Sequence, residues 1–150
     1  MEQNDAKMNI NWYPGHMAKT KKQIIEDLKL IDVVVEILDA RIPRSSRNPD
    51  LQEWVKNKKK VVILNKCDLA EEKVNQEWIN YFKKQGIIAV LTDANSGKGI
   101  EEALRAIEKI AEDDKKTFEE KGRVGKTIRV MIVGIPNVGK SSFINRITKK

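Results

Sequence analysis

The sequence predicts an α/β protein with a doubly wound, mostly parallel sheet. Short β-branched apolar runs alternate with segments of helical periodicity along the chain. Strands that alternate with helices in this way form parallel sheets with right-handed crossovers. Polar loops follow three of the predicted strands, at residues 39–49, 65–68 and 134–141. Since ligands bind beyond the carboxyl ends of the strands in such sheets, the sequence also predicts which edge of the sheet carries a site.

Four apolar runs predict the strands. The first, residues 33–38, is rich in valine and isoleucine, which is typical of a strand buried on both faces. The other three runs cover residues 60–64, 87–91 and 127–133. Apolar side chains at helical spacing predict helices between them, at residues 17–30, 50–57, 73–85 and 99–120, and a last helix that begins at Lys140.

The first sixteen residues are polar with an aromatic patch, and Pro14-Gly15 predicts a turn there. No strand is predicted in this stretch. We expect residues 1–30 to form an N-terminal extension and helix, and residues 31–150 to form the α/β domain. A chain of 150 residues is long enough to bury one working core.

The charge balance favours an anionic partner. The chain carries 29 basic and 22 acidic side chains, a net charge of +7, and its pI is about 9.4. RNA is the partner that such a balance suggests first. A basic, solvated surface without a specific partner is the alternative that charge alone leaves open.

Composition also excludes several classes of protein. No apolar run approaches the roughly 18 residues that a membrane span needs, and the acidic, polar start is not a secretory signal. The single cysteine, Cys67, excludes an internal disulfide and suits a reducing cytoplasm. With only one histidine, a His/Cys metal site is not expected. The oligomeric state is left open.

Residues 134–141, Gly-Ile-Pro-Asn-Val-Gly-Lys-Ser, fit the phosphate-binding loop pattern G-x-x-x-x-G-K-[ST]. Glycines let successive backbone N–H groups turn inward around phosphates, at the positive end of the following helix. Lys140 is expected to reach the β- and γ-phosphates, and the Ser141 hydroxyl to ligate Mg²⁺. The predicted phosphate contacts are Asn137, Val138, Gly139, Lys140, Ser141 and Ser142.

A second motif, Asn65-Lys66-Cys67-Asp68, follows the second predicted strand. A carboxylate at Asp68 can accept two hydrogen bonds from N1–H and the 2-amino group of guanine, which adenine does not offer. The Lys66 stem can lie along the base, and Asn65 can tie this loop to the phosphate loop. The motif therefore favours GTP and GDP over ATP. In an ordinary GTP-binding domain the phosphate loop comes first, so the reversed order predicts a circularly permuted P-loop GTPase fold.

Together these motifs make the chain resemble the YlqF/RbgA family of circularly permuted ribosome-assembly GTPases. Residues 11–19, Asn-Trp-Tyr-Pro-Gly-His-Met-Ala-Lys, look like the N-terminal signature of that family. Residues 39–43, Asp-Ala-Arg-Ile-Pro, with residues 47–49, look like its characteristic loop. The resemblance covers essentially the whole chain. It implies a GTP-hydrolysing factor that binds the precursor of the large ribosomal subunit and its rRNA.

The resemblance also implies roles for single residues. Asp93, Ala94 and Asn95 fall where GTPases usually have Ser-Ala-Lys, with the Ala94 backbone N–H facing the guanine oxygen; Asp93 and Asn95 depart from that pattern. Asn137 matches an asparagine that helps to hold K⁺ beside the phosphates. His16 matches a histidine proposed to position the attacking water, and a histidine packed in an aromatic turn is the structural alternative.

Two GTPase segments are missing from the sequence. A switch threonine and a D-x-x-G segment should follow the phosphate loop in a permuted chain, and neither occurs in residues 142–150. We therefore expect the chain to be the front part of a longer protein and its domain to be incomplete, so that hydrolysis belongs to the full-length enzyme. Two alternatives stay open: a nucleotide-responsive RNA-binding scaffold without hydrolysis, and an ATP-using P-loop protein.

Overall fold

Five strands form one parallel sheet within the part of the chain that the computed structural model describes, which is residues 8–12, 17–43, 49–112, 127–134 and 138–148. Every strand pair in the sheet is parallel. The spatial order is β1-β5-β2-β3-β4. The predicted α/β fold class is confirmed. The strands are β1 (Met8–Trp12), β2 (Val33–Asp39), β3 (Lys60–Asn65), β4 (Ile88–Leu91) and β5 (Ile128–Val133).

The helices lie close to their predicted positions, with ends that differ by one or two residues. The predicted helix over 99–120 is seen as far as Glu112, and residues 113–120 lie outside the described ranges. A short 3-10 turn, Cys67–Leu69, follows β3. The helices are α1 (Met17–Leu28), α2 (Pro49–Val55), α3 (Glu72–Lys84), α4 (Ile100–Glu112) and α5 (Lys140–Thr148).

The sheet is covered on both faces, as the doubly wound prediction requires. Alternate residues of β2 point to opposite sides: Val33 and Val35 pack in a cluster with residues of α4 and α5. Val34 packs with Ile24 and Leu28 of α1. The α3 helix covers the end of the second face near β4, through Phe82. A central parallel strand buried on both faces must be apolar at nearly every position, which is the pattern of residues 33–38.

Strand β1 was missed by the sequence analysis. It pairs with β5 at the edge of the sheet, from Met8 opposite Ile128 to Trp12 opposite Ile132. Met8 and Ile10 are half-buried against the core, and Asn9 between them is exposed. This alternation is the two-residue period of a strand. The pattern was hidden by the polar residues before it and the turn residues after it.

Within the described residues, no helix is both long and apolar enough to cross a membrane.

Phe82 offers a test of the packing on the α3 side of the sheet. Its side chain is fully buried and its ring lies 5.2 Å from that of Tyr81 and 6.1 Å from that of Trp78. We expect Phe82→Ala to lower the free energy of unfolding by about 3 to 5 kcal/mol, because the cavity adds to the lost burial. Urea denaturation measures this. Leu69→Ala, at a side chain that is 62% exposed, is the control and should change little.

Candidate nucleotide-binding site

The phosphate-loop segment leaves the carboxyl end of β5 and leads into α5. Gly139 has a φ of +94°, a conformation that side chains disfavour, and a Cβ added there would collide with the Asn65 side-chain amide. A Cβ added at Gly134 would lie 2.9 Å from the Ile37 carbonyl oxygen. Both glycines of the motif are therefore required by close contacts with neighbouring strands.

Lys140 begins α5, and its side chain reaches back to the end of β5. Its Nζ donates a hydrogen bond of 2.7 Å to the carbonyl oxygen of Gly134, the first residue of the motif. The residue is buried, and this burial lowers the pKa of Lys140 from its usual 10.5. Ser141 is exposed and Ser142 half-buried in the first turn of the same helix. Positive charge and helix N–H groups thus meet at one place, which suits an anion.

Asn65, the last residue of β3, joins three loops through one buried side chain. Its Nδ2 donates to the carbonyl oxygen of Val138 at 2.9 Å. Its Oδ1 accepts from the hydroxyl of Thr92 at 2.9 Å and from the backbone N–H of Ala94 at 3.0 Å. The predicted tie between the Asn65 motif and the phosphate loop is therefore present. The Ala94 N–H, which the resemblance directs at a guanine oxygen, already has an acceptor in Asn65.

The rest of the base-reading motif turns sharply after β3. Lys66 adopts a left-handed conformation with φ of +64°, and its Nζ lies 3.7 Å from Asp39 Oδ2. Asp68 lies in the 3-10 turn with its side chain half-exposed, and Lys98 Nζ is 3.6 Å from its Oδ1. The sequence did not indicate Lys98, because only the turn over residues 93–98 brings its side chain near Asp68.

The loop after β4 is a compact turn built on Asp93. The Asp93 backbone N–H donates to the Lys98 carbonyl at 2.9 Å, and its carbonyl accepts from Gly97 N–H at 2.8 Å. The Asp93 carboxylate accepts from the Asn95 N–H at 3.1 Å. Such a side-chain-to-backbone bond two residues on is what aspartate contributes to tight turns. Asp93 therefore stabilises the loop. This role accounts for an aspartate at the position where GTPases usually have serine.

These loops line one open cavity of about 300 Å³. Six residues singled out from the sequence line it, from the Asn65 motif, the 93–95 loop and the phosphate loop. Asp68 and Ser141 are outside that lining but on the same loops, while His16 and Asn137 lie outside the described residues, as do Arg47 and Asn48. The lining residues are Asn65, Lys66, Asp93, Asn95, Gly139 and Ser142.

The loop after β2 carries a salt bridge beside the site. The buried Asp39 carboxylate receives two hydrogen bonds from the Arg41 guanidinium, at 3.0 and 2.6 Å, and one from the Arg41 backbone N–H at 2.9 Å. The Arg41 side-chain hydrogen bonds hold the pKa of Asp39 below its usual 3.8. The 39–49 loop was predicted to be near the site, and its Asp39 contacts the Lys66 side chain.

The sheet order and the loop chemistry define the class: a P-loop GTPase fold in which the base-reading motif precedes the phosphate loop along the chain. The family described as "50S ribosome-binding GTPase" matches residues 129–150. The chain is 49% identical to "Ribosome biogenesis GTPase A" of Priestia megaterium over 95% of its own length and 50% of that protein's. It is 34% identical to "Mitochondrial ribosome-associated GTPase 1" of Bos taurus, over 93% of this chain and 41% of that one.

A solved structure described as GNP-bound YlqF from T. maritima superposes with a TM-score of 0.61 at 33% identity, covering 88% of this chain and 48% of that one. Over nearly its whole length the chain is similar to proteins of the YlqF/RbgA family, the family of circularly permuted GTPases that its motifs predict. It spans about half the length of the curated relatives it matches.

The Asn65 side chain gives the most direct test of how the loops are held. We expect Asn65→Ala to lower the free energy of unfolding by about 2 to 4 kcal/mol, because the buried partners at Val138, Thr92 and Ala94 lose their hydrogen bonds. Chemical denaturation measures this loss, and hydrogen exchange should be faster at the Ala94 amide. Asn80→Ala, at an exposed position of α3, is the matched control; equal losses in both variants would contradict the assignment.

The Asp39–Arg41 pair predicts a pH dependence. Because the folded-state pKa of Asp39 lies below 3.8, the pair stabilises the folded chain above that pH, and this contribution is lost as the pH falls through 3.8 and below. Arg41→Gln should therefore destabilise the chain most near pH 7 and progressively less towards pH 3. Urea unfolding across this range measures the difference. Arg105→Gln, at an exposed arginine of α4, should show no such trend.

Proposed function

We propose that the chain binds GTP and GDP in the cavity between the Asn65 motif, the 93–95 loop and the phosphate loop. One observation carries the proposal: predicted base-reading and phosphate-binding residues, far apart in the sequence, line the same cavity. Asp68 reads the guanine edge, and Lys66 lies along the base. Val138, Gly139, Lys140, Ser141 and Ser142 hold the phosphates, with Asn137 beside them.

The metal ions follow from the same residues. Ser141 is exposed in the first turn of α5, where its hydroxyl would ligate Mg²⁺ beside the phosphates. The ion would neutralise the charge that develops on the phosphates during hydrolysis. We propose Asn137 as a ligand of K⁺. Lys140, which is buried and bonded to the Gly134 carbonyl oxygen, contributes a positive charge at the same place.

We propose that the full-length protein hydrolyses GTP and acts in assembly of the large ribosomal subunit, with precursor rRNA as partner. The names of the relatives, "Ribosome biogenesis GTPase A" and "Mitochondrial ribosome-associated GTPase 1", support this proposal over a scaffold without hydrolysis. The net charge of +7 suits an RNA partner. We further propose a cytoplasmic location and His16 as the group that positions the attacking water. We also propose that residues 1–30 are an N-terminal extension and helix and residues 31–150 the permuted GTPase domain, with β1 and α1 of the extension packed into the same sheet and core.

Guanine recognition by Asp68 is tested by exchanging its acceptor for a donor. Wild-type chain should bind a fluorescent GDP analogue that GDP displaces and ADP does not. In Asp68→Asn we expect GDP affinity to fall by about 100-fold and XDP to become the better competitor, because the asparagine amide donates where the xanthine oxygen accepts. Competition titrations with GDP, ADP and XDP measure both effects.

Glu77→Gln is the matched control, since it makes the same change of carboxylate to amide at an exposed position of α3. Equal competition by ADP in the wild type would favour an ATP-using protein. If the base preference does not change in Asp68→Asn, Asp68 does not recognise guanine, and only phosphate binding by the site remains supported.

A further inference from the structure

Arg146 connects the helix after the phosphate loop to the loop after β4. It lies on α5, whose first residue is Lys140. Its Nε donates a hydrogen bond of 2.7 Å to the Ala94 carbonyl oxygen, and its second terminal nitrogen donates to the Asn95 carbonyl oxygen. The two carbonyls belong to consecutive residues of the 93–95 loop. No sequence motif singled out this arginine.

The loop fits closely around the guanidinium. Gly97 has a φ of +90°, and a Cβ added there would lie 3.2 Å from the Arg146 Nη1 atom. Arginine suits this place because its planar, permanently charged group offers donors in a fixed fork, which can reach two carbonyls at once. A lysine would present a single ammonium, and a glutamine a single neutral amide.

The backbone N–H and the carbonyl oxygen of Ala94 have different partners. Its N–H donates to Asn65 Oδ1 beside the cavity, while its carbonyl oxygen accepts from Arg146. Because the C=O of Ala94 and that of Asn95 are both held by Arg146, the guanidinium limits how far this segment can move. The Ala94 backbone is thereby held at both its N–H, by Asn65, and its carbonyl, by Arg146.

We propose that Arg146 is a positioning residue for recognition of the guanine O6 atom. It does so by holding the Ala94 N–H, which donates to Asn65 Oδ1 in this structure, in a position where the same N–H is shared with the oxygen at the purine 6-position. It also links the 93–95 loop to α5, the helix that follows the phosphate-loop motif. The inference rests on the proposed binding of guanine nucleotides. In this inference the loop held by Arg146 recognises the oxygen at the 6-position, while Asp68 recognises the 2-amino group.

Two nucleotides test these contacts separately. The 5′-diphosphate of 2-aminopurine riboside lacks O6 and, with it, the N1–H proton but keeps the 2-amino group, while IDP keeps O6 and N1–H and lacks the 2-amino group. Because Arg146→Gln leaves Asp68 in place, the contribution of N1–H cancels when each preference is compared with that of the wild type. In Arg146→Gln we expect the preference for GDP over the 2-aminopurine nucleotide to fall by about tenfold, as one misplaced hydrogen bond would cause. The preference for GDP over IDP should stay within about twofold. In Arg146→Lys, the preference for GDP over the 2-aminopurine nucleotide should lie between the values for Arg146→Gln and the wild type.

Arg105→Gln, at an exposed position of α4, is the control and should change neither preference. If Arg146→Gln loosens the whole site, the preferences for GDP over both analogues should fall together, and this result would overturn the inference. The inference is also overturned if neither preference changes. Hydrogen exchange at the Ala94 amide without nucleotide provides a separate readout. It should be faster in Arg146→Gln, and an unchanged rate would also overturn the inference. If the wild type fails to bind GDP, the proposed function is wrong and the inference about O6 falls with it; the exchange measurement then reports only whether Arg146 holds the 93–95 loop.

Discussion

The site depends on the buried amide of Asn65. A buried amide that loses a partner costs about 1 to 3 kcal/mol, and this one bonds to groups on two other loops, at residues 92–94 and at Val138. Since the side chain has one donor group and one acceptor group in use at once, neither loop can shift without leaving a polar atom unpaired. The space that the amide occupies also excludes any side chain at Gly139.

This arrangement explains why the motifs can occur in reversed order. The contacts join the carboxyl ends of β3, β4 and β5, which meet at one edge of the sheet because all strand pairs are parallel. The site depends on where the strands lie in the sheet and not on which loop is synthesised first. A permuted chain can therefore build the same cavity, provided that each loop still follows the same position in the sheet.

Much of this fold could be predicted from local patterns, and the exceptions have physical reasons. The apolar runs of β2, β3 and β5 identify buried strands, and the tie between Asn65 and the phosphate loop follows from the two motifs. Arg146 and Lys98 carry no motif. Arg146 contacts the 93–95 loop, and Lys98 contacts Asp68, only after α5 and the 93–99 turn have packed. Strand β1 is half-buried at the edge of the sheet, so its alternation is short and weak.

The Asp39-Ala40-Arg41 segment after β2 also contacts the loop that follows β3. Asp39 lies opposite Asn65 in the register of β2 and β3, and the Ala40 N–H donates to the Asn65 carbonyl oxygen at 2.7 Å. The Asp39 carboxylate then lies near Lys66, which has left-handed backbone geometry that lysine seldom adopts. Arg41 shares that carboxylate and keeps it ionised. Thus the segment supports the base-reading loop from the neighbouring strand, while Arg146 supports the 93–95 loop from the helix.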